Sequence, residues 1–158
     1  MQQSNQNAQV NIDRRYRTML VLWVVMLMNI GFFFVLSLFL GPEAGNEPVA
    51  PPSSLFIAVV TALGTFTVII SFAVKRKFFE RSVEKQEVDL VQKGLVIACA
   101  MCEVSALLGL LLRFLVDQRE YYLLFLIAAI GTALHFPRRE QLLSATYKTS
   151  PGRSSFLE

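Results

Sequence analysis

Four apolar runs divide the chain, at residues 18–40, 55–74, 94–116 and 121–136, and the stretches between them are polar or charged. The first three runs hold 23, 20 and 23 residues. At a rise of about 1.5 Å per residue each reaches across a hydrocarbon core of about 30 Å. The fourth has 16 residues. It crosses if the bilayer thins locally or if Tyr121, Tyr122 and His135 sit in the interfaces. A re-entrant or interfacial segment is the alternative, but Arg119 and Glu120 before it, and Pro137, Arg138 and Arg139 after it, are the flanks of a crossing. The pattern predicts an all-α integral membrane protein, a four-transmembrane-helix bundle over residues 18–136.

The intervening stretches refine this picture. Residues 1–17 begin with a Gln- and Asn-rich segment with too little apolar surface to order itself, and are expected to form a flexible tail. Residues 41–54 carry Pro42, Pro48, Pro51 and Pro52 and should be extended and stiff. Residues 75–93 contain neither Gly nor Pro. The second helix should therefore continue out of the membrane and the third begin before it, with Lys85, Asp89 and Lys93 at i,i+4 spacing. The tail 137–158 is expected to hold a short interfacial helix near 140–147 and then a turn at 149–153.

Composition agrees with the membrane class. Hydrophobic residues make up 54% of the chain and charged residues 17%, against about a quarter charged in soluble domains. Of the fifteen Lys and Arg, thirteen fall in the N-terminal tail, the middle loop and the C-terminal tail, leaving only Arg113 and Arg119 on the other side. The positive-inside rule then places both termini in the cytoplasm, in the inner (plasma) membrane of a bacterium. The first run exceeds the roughly 7 to 15 residues of a signal h-region and reads as an uncleaved anchor. The net charge of +3 is explained by topology and anionic lipid, so the bilayer is the expected partner and nucleic acid is not.

The chemistry worth following is intramembrane. Glu103 lies in the middle of the third run, where a charged group costs roughly 2.5 to 3.5 kcal/mol. At 100° per residue, Ala98, Cys102, Ser105 and Gly109 fall within about 60° and form a small-residue stripe for close helix packing. Glu103 flanks that stripe. Counted from the run ends, Thr65 and Asn29 lie within about 3 Å of its depth, which makes them its candidate partners as an ion- or proton-binding site. Cys99 and Cys102 have the Cys-x-x-Cys spacing of a disulfide oxidoreductase, but they sit deep in hydrocarbon without a third cysteine, and packing is the expected role. Arg113 is about 15 Å along the axis from Glu103 and should snorkel to pair with Asp117. His135 is expected in the interface. The sequence has no metal-ligand spacing, phosphate loop or catalytic triad pattern, so neither a cofactor nor an enzymatic activity is expected.

The segment Glu103-Val104-Ser105-Ala106-Leu107-Leu108-Gly109-Leu110, together with the basic loop around Arg81, resembles the hairpin of the c subunit, or proteolipid, of rotary ATPases. The resemblance covers residues 55–116. It departs from the family in a first helix with only Gly64, in a loop without Arg-x-Pro, and in two further runs. It implies that Glu103 binds a proton or a sodium ion. Small multidrug transporters also have four helices and one essential Glu, but theirs lies in the first span, where this chain offers Asn29. Two functions are therefore expected: a non-enzymatic accessory or oligomer-forming subunit, as a homo-oligomer or in a larger membrane complex, with a buried Glu103; or proton- or cation-coupled transport with Glu103 as the titrating site.

Overall fold

A computed structural model describes residues 2–39, 53–116 and 121–146, with side chains from residue 12 onward in the first stretch and up to residue 114 in the second. Five helices follow one another: α1 (Gln2–Phe39), α2 (Ser54–Lys85), α3 (Val88–Val116), α4 (Tyr121–Leu134) and α5 (Arg139–Thr146). No strand occurs among the described residues. Three of the helices, α1, α2 and α3, are long and apolar enough to cross a membrane. The Pro-rich loop, Asp117 and the turn at 149–153 lie outside the described residues.

Residues 2–17, which composition marks as a tail, are helical and continuous with the first apolar run. Part of the reason lies in spacing that average composition hides. Ile12, Tyr16 and Met19 recur at i, i+4 and i+7, and that face packs against Val91, Leu95 and Cys99 of α3 and Leu142 and Ala145 of α5.

The second and third runs form a helical hairpin joined by two residues. Ser53 caps α2 by accepting from the Phe56 backbone N–H at 3.4 Å. At the other end Gln86 takes the left-handed conformation, φ 54°, and its N–H returns to the Ser82 carbonyl. The Ser82 hydroxyl closes the turn by donating to Glu87 O at 2.7 Å. This break separates Lys85 from Asp89, so they are not an intrahelical pair. Asp89 instead pairs with Arg15 of α1.

Contacts along α2 and α3 run in opposite order, Phe78 with Gly94, Ser71 with Cys102 and Gly64 with Ser105, so the two helices are antiparallel. Glycines set the spacing where α4 joins them. A Cβ at Gly131 would stand 2.7 Å from Val68 Cγ1 and 3.0 Å from Cys102 Sγ. One at Gly64 would stand 2.8 Å from Leu124 Cδ2. Such contact is what helices in lipid need, because apolar side chains gain nothing by leaving hydrocarbon and must associate through dispersion at short range.

At one end of the molecule α5 ties the remaining helices together. It is bent by 49° from α4 and buries Leu142 and Ala145 completely. Arg139 reaches Asp13 of α1 at 2.7 Å. The N-terminal half of α1, the α2–α3 turn and α5 are thus gathered at the same end. The outer surfaces stay apolar, with Val21, Val25, Met28 and Phe32 on α1 and Leu55, Phe66 and Ile69 on α2 all exposed. That is the inverse of a soluble fold, and it is the surface of an integral membrane protein.

Candidate functional site

Two polar clusters sit among the apolar helices. The first is the one expected around Glu103. Glu103 is half-buried and lines a groove of about 440 Å³ together with Val25, Met26, Met28, Asn29 and Phe32 of α1. The groove opens on the outer surface, where Val25, Met28 and Phe32 are 57%, 70% and 59% exposed. Asn29 and Glu103 therefore share one groove. No hydrogen bond joins them among the described residues. Thr65 does not line this groove, and its hydroxyl donates to the Thr61 carbonyl one turn back at 2.9 Å.

The small residues beside Glu103 are enclosed. Ala98, Cys102 and Ser105 have no exposed surface, and Gly109 is buried where a Cβ would meet Tyr121 O at 3.1 Å and Leu124 Cβ at 3.2 Å. Both cysteines are free and buried. Arg113, at the far end of α3, donates to the Ser37 carbonyl at 3.4 Å and lies 5.3 Å from the centre of the Tyr121 ring.

The second cluster centres on His135. His135 is fully buried within the protein just beyond the last turn of α4. Its Nε2 is 2.8 Å from Ser71 Oγ on α2, and Phe72 stacks on its ring at 4.4 Å. Ser71 Oγ is also 2.6 Å from the Val68 carbonyl and 3.7 Å from Cys102 Sγ on α3. These distances select a tautomer. A hydroxyl has one proton, and the carbonyl of Val68 can only accept, so Ser71 donates to Val68 and accepts from His135 Nε2–H. Nδ1 is then a bare acceptor, which matches its lack of a partner among the described residues. The reverse tautomer would leave an N–H donor orphaned in an apolar core, the costlier arrangement.

Around this centre, Lys75 Nζ donates to the His135 carbonyl at 3.0 Å, a cation capping the C-terminal end of α4. Trp23 of α1 donates its indole N–H to the Thr132 carbonyl at 2.7 Å and meets Phe136 edge-on at 5.2 Å. The cluster therefore links α1, α2, α3 and α4. Its sequence signal was present but diluted: Ser71 and Lys75 are one turn apart on α2, and Thr132 and His135 one turn apart at the end of α4. No group of three or more metal-ligating side chains occurs among the described residues.

The architecture and these clusters define a class, an all-helical protein with membrane-crossing helices and polar groups buried between them. In comparisons with known proteins, no family model, no curated protein and no solved structure matches the chain.

Proposed function

We propose that the protein is a non-enzymatic, oligomer-forming membrane subunit, and that the Asn29–Glu103 groove is the face on which two copies meet. The observation that carries this reading is the groove itself: a carboxyl group and a carboxamide share one opening on an otherwise apolar outer surface. Left against hydrocarbon, a charged Glu costs about 2.5 to 3.5 kcal/mol, so the group needs either a proton or a partner. A second copy supplies the partner. The Asn carboxamide both donates and accepts, as does a proton-bearing carboxyl, so the same pair on two protomers is self-complementary, which a two-fold interface requires.

Within this proposal the bundle has four crossings, the fourth made by α4. Its 14 residues span about 21 Å, so the bilayer thins there or the aromatic flanks take up the difference. Both termini are cytoplasmic. The gathering of α5, the α2–α3 turn and the N-terminal half of α1 at one end is consistent with the basic residues of those segments sharing one side.

Proton- or cation-coupled transport with Glu103 as the titrating site is the second reading, favoured by the same opening, which leaves the carboxyl reachable. One pair of variants separates the two. If Glu103 is an interprotomer hydrogen-bonder, Glu103→Gln keeps the oligomer and Glu103→Leu weakens self-association by about 1 to 2 kcal/mol, roughly five- to thirty-fold, measured by subunit-counting photobleaching in lipid bilayers. Equal association of both variants with the parent protein would remove the proposal. Loss of an ion flux in Glu103→Gln, with assembly intact, would move the assignment to the second reading.

A further inference from the structure

The end of the molecule that carries His135 has a pocket of about 300 Å³ between α2 and the α4–α5 bend. Three of its five polar lining residues are cations, Lys75, Arg76 and Arg138, and the other two, His135 and Gln141, are neutral. No acidic side chain lines it among the described residues, although Glu80 holds Arg76 from outside at 2.9 Å. The rest of the wall is apolar, including Phe72 and Phe79. Lys75 uses one N–H on the His135 carbonyl, which fixes its ammonium at the pocket wall, and an ammonium has three to give.

Position decides what fits. On α2 the pocket lies where the apolar run 55–74 gives way to Lys75, Arg76 and Lys77, and on α4 where the run ends before Arg138 and Arg139. That is the border between hydrocarbon and headgroups in a chain that crosses a membrane. A free anion would match the three cations but not the aromatic wall, and a zwitterionic lipid would match the wall but bring a cation of its own to a cationic rim. We propose that this pocket binds an anionic phospholipid, its phosphate held by Lys75, Arg76 and Arg138 and the start of its acyl chain lying against Phe72 and Phe79. Basic pockets between membrane helices recognise lipid phosphates in this way.

The test uses the full-length protein in detergent micelles, titrated with phosphatidylglycerol, phosphatidylcholine or inorganic phosphate, with bound ligand counted by native mass spectrometry. Phosphatidylglycerol should bind in preference to the other two. The double variant Arg76→Gln, Arg138→Gln should weaken that binding about 30-fold, roughly five-fold for each lost charge. Both residues are exposed, so the fold does not depend on them. Arg76→Lys with Arg138→Lys should stay within about three-fold of the parent if point charge is what matters. Arg81→Gln, on α2 but outside the pocket, should change nothing. Unchanged lipid affinity in the double Gln variant would overturn the proposal, as would equal weakening by Arg81→Gln. Displacement of the lipid by millimolar inorganic phosphate would overturn the lipid assignment in favour of a soluble phosphate compound.

Discussion

Gly131→Leu should separate α4 from the α2–α3 hairpin and lower stability by about 3 kcal/mol or more, at the upper end of what overpacking costs. Even a single added carbon has no room, since the Cβ position is 2.7 Å from Val68 Cγ1 and 3.0 Å from Cys102 Sγ. Neither neighbour can turn away cheaply. Val68 is 6% exposed and β-branched, and Cys102 is fully buried in a helix packed on two sides. Leucine would force α4 outward, and hydrocarbon would fill the gap without penalty, because lipid competes for apolar helix faces as water does not. Trp23, the single tryptophan, reports the event through its bond to Thr132 and its edge contact with Phe136. Unfolding of micelle-embedded protein, followed by its fluorescence, should show a lower midpoint for Gly131→Ala and the largest loss for Gly131→Leu. Val68→Ala should return part of the Gly131→Ala loss, as contacting sites couple. Unchanged midpoints for both glycine variants would contradict the packing described.

His135→Ala should cost about 3 to 4 kcal/mol, with most of the loss coming from the ring and not from its hydrogen bond. Interhelical hydrogen bonds in membranes average roughly 0.6 kcal/mol and reach about 2, whereas emptying an aromatic-sized site costs about 3 to 5. Ser71 keeps its bond to the Val68 carbonyl when His135 is removed, so no donor is orphaned there. His135→Phe, which fills the site but cannot donate to Ser71, should therefore cost only about 1 to 2 kcal/mol. Denaturant titration of the two variants in micelles checks the ordering. If His135→Phe is as damaging as His135→Ala, the hydrogen bond dominates and this ranking is wrong.

The long helices are legible in the sequence because length and apolarity alone specify them: backbone groups in hydrocarbon must be paired within the segment. That α2 runs on past its apolar run and α3 begins before its own is legible because residues 75–93 hold no Gly or Pro, whereas the turn at Gln86 and Glu87 is not. Three other features are not legible, each for a definable cause. The order of α1 before residue 18 draws on Ile12 and Tyr16 meeting a partner face on α3 and α5 and on Asp13 and Arg15 pairing with Arg139 and Asp89, which composition cannot supply. The arrangement at Glu103 depends on rotation about the helix axis. Depth brought Asn29 and Thr65 forward equally, and only the packing of α1 on α3 puts Asn29 in the groove while Thr65 bonds its own helix. His135 depends on packing between helices. A histidine followed two residues later by proline and two arginines gives no sign that it is enclosed and bonded to Ser71, which takes the packing of α2 against the end of α4.

The central claim is that two copies meet across the Asn29–Glu103 groove, and a cross-link at its rim tests it most directly. Met28 lines that groove and is 70% exposed, whereas Leu63 is 52% exposed on α2 away from it. With Cys99 and Cys102 replaced by alanine, Met28→Cys and Leu63→Cys proteins would be oxidised in native membranes with copper phenanthroline. A disulfide-linked dimer at position 28, with little at position 63, is the predicted result. Monomer at position 28, or equal yields at the two positions, would contradict it.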